Sequence, residues 1–219
     1  MIVAVLPGFS RSAAQLSHWK DLLPAEVRLF DLPGHGGASP MASPTLARLA
    51  DHFSEQIPRD ALIVGESLGG LVALKMAATG YRVVAIEPPL STAKLWVLRY
   101  VLQQALEQDP KTSWMGPFVE SLFGVAAGKA PQSLNYWPLL DEATAPVDII
   151  AATEPLWPMR SIHLTPATTP SVLDEVDAYH LRRHANVRFR TLDGPHTLLT
   201  ESPDACRQAL LEIIAELTP

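Results

Sequence analysis

Residues 61–70 read Ala61-Leu62-Ile63-Val64-Gly65-Glu66-Ser67-Leu68-Gly69-Gly70, and this stretch decides the fold. Ala61 to Gly65 is a short apolar run, as expected of a buried strand in a parallel sheet. Leu68 to Thr79 is small and apolar enough to be a buried helix, and Gly80 suits its C-terminal cap. Between them Gly65-Glu66-Ser67-Leu68-Gly69 fits G-x-S-x-G. A serine in so tight a strand-to-helix turn is pushed out above the sheet edge, and the flanking glycines let strand and helix approach around it. The same turn aims the Leu68 N–H and the start of a helix dipole at whatever binds the serine.

The pattern repeats on either side. Ile2 to Leu6, Val27 to Asp31, Val83 to Ile86, Val147 to Ala151 and Val187 to Leu192 also read as strands. Helices are expected from Ala13 to Leu23, from an N-cap at Ser43 with Pro44 at the first helical position to about Ile57, from near Ser171, and from Pro203 to Leu217. Alternating strands and helices argue for a parallel sheet with helices on both faces. The alternation stops from about 88 to 144. That segment carries helical patterns, no convincing strand, and three of the five tryptophans, Trp96, Trp114 and Trp137. It reads as an insertion into the sheet, not a second domain in series.

Composition narrows the function. The chain has 219 residues, 47% of them hydrophobic and 18% charged, which suits one domain with an ample core. The net charge is −6 with no basic tract, so nucleic acid is not an expected partner. Cys206 stands alone, excluding an intrachain disulfide, and no Cys/His cluster has metal-ligand spacing. No apolar run approaches the roughly 20 residues of a membrane span, and the N-terminus reads as a strand instead of a signal peptide. A cytoplasmic protein without metal or cofactor is expected.

Several separated motifs resemble those of the α/β-hydrolase superfamily. Leu6-Pro7-Gly8-Phe9-Ser10, with Trp19 further on, is similar to the family's oxyanion-loop segment, with Pro7 where a His is usual. Asp31-Leu32-Pro33-Gly34-His35-Gly36 matches the D-x-P-G-H/F-G loop, residues 65–69 the nucleophile elbow, and Gly194-Pro195-His196 the segment before the last helix. The resemblance implies an α/β-hydrolase fold: a mostly parallel sheet of about six strands flanked by helices, lacking the family's usual first two strands. Residues 1–87 and 145–219 would form the core. Residues 88–144 would be a helical lid inserted before the next-to-last strand.

The resemblance also implies site residues. Ser67 is the candidate nucleophile and His196 the base. His35 is the nearest rival base, to which the family pattern gives a structural role within its own turn. The remaining histidines, His18, His52, His163, His180 and His184, fall on helices or the variable loop. Glu154, after the strand 147–151, takes the position of the family's acid. Glu87, after the strand 83–86, is the alternative, and Asp177 a third possibility. Phe9 and Leu68 N–H would form the oxyanion hole. Asp31 would fix the loop that follows it. Trp96, Trp114, Trp137 and Arg11 are candidates for substrate contact, although lid aromatics also serve as the lid's own core. The expected activity is hydrolysis of a small carboxylic ester or thioester through an acyl-enzyme. The alternative is a triad-dependent lyase or C–C bond hydrolase of an anionic small molecule, for which Arg11 and Arg99 would point into the pocket.

Overall fold

The computed structural model describes residues 1–108, 115–154, 156 and 172–217. Six strands form one sheet: β1 (Ile2–Leu6), β2 (Glu26–Leu29), β3 (Leu62–Glu66), β4 (Arg82–Ile86), β5 (Val147–Ala152) and β6 (Val187–Leu192). Their spatial order is β2-β1-β3-β4-β5-β6, and every pairing is parallel. The chain runs from β1 outward to β2, then returns to place β3 on the other side of β1. That reversal opens a crevice at the C-terminal ends of the central strands, where ligands bind in open α/β sheets.

The apolar runs of β1, β3 and β4 follow from burial on both faces. Alternate residues feed two cores. Ala4, Leu6, Ile63, Val83, Ala85 and Ile149 pack with α1 (Leu46–Ser54) and α2 (Leu68–Ala77). Val3, Val5, Leu62, Val64, Val84 and Ile150 pack on the other face with Leu16, Trp19 and the last helix, α8 (Pro203–Leu217). Nearly every α2 residue is buried, which explains why its sequence shows no polar stripe.

Between β4 and β5 lie α3 (Trp96–Gln108), α4 (Met115–Phe123) and α5 (Pro138–Glu142). Among the described residues this segment has no strand, only the isolated bridge between Ser91 and Asn135. After β5 come α6 (Glu175–Leu181) and, after β6, the four-residue α7 (Leu198–Glu201).

Three expected boundaries differ. Ala13–Asp21 is a 3₁₀ helix. α1 begins at Leu46, two residues later than expected, because Thr45 is its N-cap and accepts the Arg48 N–H at 3.3 Å. α6 begins at Glu175 because Asp174 caps it, accepting from Val176 and Asp177 N–H. Ser171, Trp114 and His163 lie outside the described residues. No described helix is long and apolar enough to cross a membrane, and no cluster of three metal-ligating side chains occurs among the described residues.

Candidate active site

β3 runs directly into α2 through Ser67, whose φ of 54° and ψ of −117° lie outside ordinary helix and strand conformations. The turn closes because two glycines remove side chains from its narrowest points. A Cβ on Gly65 would lie 2.2 Å from Gly69 O, and one on Gly69 would lie 2.2 Å from Leu6 O. The Ser67 N–H donates to Ile86 O at 2.7 Å, tying the turn to β4. Ser10 and Glu87 also have positive φ, 59° and 50°. Every positive-φ non-glycine residue described thus lies at the C-terminal rim of the sheet, where held backbone strain of about 1–3 kcal/mol per residue marks functional turns.

The loop after β1 abuts the serine: a Cβ on Gly8 would stand 3.7 Å from Ser67 Oγ. Phe9 packs on Phe118 and Phe123 of α4 and on the His35 ring. Leu68 is fully buried at the start of α2. Ser67, His196, Phe9, Arg11, Leu98 and Phe123 line a cavity of about 230 Å³, together with further residues of the same loops.

Glu87 has no exposed surface. Its Oε1 accepts the Ala152 N–H at 2.8 Å, and its Oε2 lies 3.1 Å from His196 Nδ1. A carboxylate can only accept, so Nδ1 carries the proton in this pair and Nε2 is left with its lone pair. No hydrogen bond joins His196 to Ser67 Oγ among the described residues. Catalytic hydrogen bonds are often long without substrate and tighten when it binds.

Glu154, the first candidate for the acid, does not contact His196. It is exposed, and its backbone N–H donates to Gly194 O at 3.0 Å. Its strand ends one place farther across the sheet than the Glu87 strand, and Glu87 fills the space beside the imidazole. Asp177 is committed elsewhere, in an ion pair with Lys94 at 2.5 Å.

His35 is buried, its pKa lowered by that burial, and its Nδ1 lies 3.2 Å from Pro33 O, within its own turn. Asp31 receives the N–H groups of Ala13 at 2.6 Å and Gly37 at 3.0 Å and so ties two loops together. Cys206 is buried, and burial first, then the nearby Glu66, pushes its thiol up to about 12, far from a nucleophile's range.

Trp96 and Trp137, two of the three tryptophans expected to meet substrate, stand apart from this cavity. Trp96 is 50% exposed, and Trp137 lines a separate depression with Asp177, His180 and Arg183. The helical segment instead contributes Leu95, Leu98 and Phe123. Leu95, at the end of the 3₁₀ turn before α3, with Leu98, Leu102 and Leu106 marks an inward stripe, and Trp96 with Tyr100 lies off it, so helical phase is the available signal. Arg11 lines the cavity. Arg99 is spent within the helical segment, donating to Thr92 O and Ser133 Oγ.

The alpha/beta hydrolase family model matches residues 3–209. The chain belongs to this family. A pimeloyl-(acyl-carrier protein) methyl ester esterase of Aromatoleum aromaticum is 43% identical over 79 residues, 35% of this chain and 31% of that protein. The match therefore spans about a third of that relative's length. Two solved hydrolase structures share the fold at low identity. A thermophilic esterase from Thermogutta terrifontis is 15% identical with a TM-score of 0.65, covering 100% of this chain and 91% of that one. An enol-lactonase from Burkholderia xenovorans is 16% identical with a TM-score of 0.61, covering 98% and 91%.

Proposed function

We propose that this α/β hydrolase cleaves small carboxylic esters or thioesters, with Ser67 as nucleophile, His196 as general base and Glu87 as the orienting acid. One observation carries the reading: the His196 ring, paired at Nδ1 with a fully buried carboxylate, lines the same cavity as a serine in a strained elbow. In this mechanism Ser67 Oγ attacks the carbonyl carbon as its proton passes to His196 Nε2. The backbone N–H groups of Phe9 and Leu68 receive the oxyanion. His196 then protonates the departing alcohol or thiol, leaving an acyl-serine. Water, deprotonated by His196, attacks that ester, and the acid and free Ser67 are released. Glu87 holds the imidazole tautomer and faces the imidazolium that forms in each half-reaction.

The largely apolar lining supports an uncharged acyl group, and the methyl ester named for the Aromatoleum relative is of this bond class. Leu95, Leu98 and Phe123 support a lid role for the helices between β4 and β5. Arg11 in the cavity wall favours the second reading, a lyase or C–C bond hydrolase of an anionic substrate.

The test is turnover of p-nitrophenyl esters and acyl thioesters by the wild type and Ser67→Ala. Activity that falls about 10³-fold or more in folded Ser67→Ala supports the proposal. Folded wild-type protein with no turnover across both panels contradicts it.

A further inference from the structure

The residue before the serine is a carboxylic acid on an otherwise apolar strand. Alternation along β3 sends Glu66 to the same face as Leu62 and Val64, into the core that also holds Leu198, Leu199 and Cys206. It is 1% exposed. Its Oε1 accepts the Leu199 N–H at 2.8 Å. Leu199 is the second residue of α7, so this N–H has no partner within its own helix, and Thr197 at the N-cap makes no side-chain cap. Glu66 on β3 thus caps α7 at Leu199, three residues after His196.

We propose that Glu66 is a positioning residue of the site: by accepting the Leu199 N–H it sets the turn that presents His196 to Glu87 and to the cavity. This rests on the roles given above to Ser67 and His196. Because Glu66 is bonded covalently to Ser67, the contact fixes the imidazole-bearing turn relative to the serine itself. The turn is also held by Trp19 Nε1–H, which donates to Leu199 O at 2.8 Å, and by the Arg11 guanidinium, which donates to Thr200 Oγ1. Among the described residues, only the Glu66 hydrogen bond links it directly to the elbow.

The surroundings raise the Glu66 carboxyl above its ordinary value. Burial, the largest influence, raises the Glu66 carboxyl, and Glu87 at the end of β4 raises it further. The Leu199 N–H, His196 on the turn and Arg11 on the β1 loop act the other way, more weakly. Cys206 of α8 faces it as an un-ionised thiol. An amide would also fit the place, since its carbonyl accepts the same N–H.

The experiment compares Glu66→Leu, Glu66→Gln and Glu66→Asp in the full chain, with folding checked by circular dichroism. Steady-state constants on a p-nitrophenyl ester and the pH dependence of kcat/KM are measured for each. Glu66→Leu is expected to lower kcat about 30-fold with KM within about threefold, and to move the acid limb of the profile. Glu66→Gln is expected to recover about tenfold of that loss. A folded Glu66→Leu with the wild-type kcat and profile overturns the inference. If Glu66→Leu does not fold, Glu66→Asp decides: its acceptor is withdrawn by one methylene, so a lower kcat supports the inference and a wild-type kcat overturns it. An inactive wild type would instead overturn the proposed hydrolysis.

Discussion

The turn that carries Ser67 is held by close backbone contacts, within itself and to the neighbouring strands, whereas the turn that carries His196 is held by side chains from distant parts of the chain. In the first, Gly65 and Gly69 bring strand and helix into contact, and one hydrogen bond from Ser67 N–H to Ile86 O completes it. In the second, Glu87, Glu66, Trp19 and Arg11 reach in from β4, β3, the first 3₁₀ helix and the β1 loop. A locally built turn is written in consecutive residues. A turn assembled from afar depends on every element that reaches it.

The difference can be broken most severely at the elbow. In Gly69→Ala the new methyl group meets the Leu6 and Pro7 carbonyl oxygens at 2.2 and 2.6 Å, both of them backbone. We expect it to lose about 4 kcal/mol or more of stability, or to fail to fold, as read by thermal or urea unfolding. At the other turn, Glu87→Gln is expected to fold and to lose about 10³–10⁴-fold in kcat, because the amide no longer fixes the imidazole tautomer. Glu154→Gln, which removes an exposed carboxylate away from the imidazole, is expected to stay within about twofold. Parallel kinetics on the two variants separate the acid from its sequence rival.

Trp19→Phe takes the indole N–H from Leu199 O, which among the described residues keeps only His18 Nε2 at 3.2 Å, and leaves part of a fully buried site unfilled. A cost of about 1–2 kcal/mol in unfolding free energy is expected. The smallest effect concerns pH. A carboxyl whose folded pKa is raised contributes stability that is fully present below its unfolded value and is lost as pH rises through the folded value. Burial raises Glu66 in this way. Wild-type Tm is therefore expected to fall relative to Glu66→Gln as the pH rises above the ordinary carboxyl value of 4.5, and a constant difference would contradict a raised Glu66 carboxyl.

The same contrast explains what could be read in the sequence. The elbow, the six strands and their helices were legible because apolar runs, glycines and small-residue helices are local signals. Glu154 and Glu87 both follow strands, on neighbours in the sheet, and the sequence does not say which carboxyl turns toward His196. That depends on the positive φ of Glu87 and on the Ala152 N–H, which donates to its other oxygen. Glu66 was silent because its partner, Leu199, is 133 residues away. At the start of α3 the chemistry of Trp96 points to substrate, yet it is the Leu95 and Leu98 side chains that line the cavity.

Labelling with a fluorophosphonate, located by mass spectrometry, tests the mechanism most directly. Ser67 is expected to be the sole phosphonylated residue, with labelling absent in Ser67→Ala and slowed strongly in Glu87→Gln. Folded wild-type protein that stays unlabelled, or that labels equally fast without Glu87, would contradict a Ser67 nucleophile activated through His196.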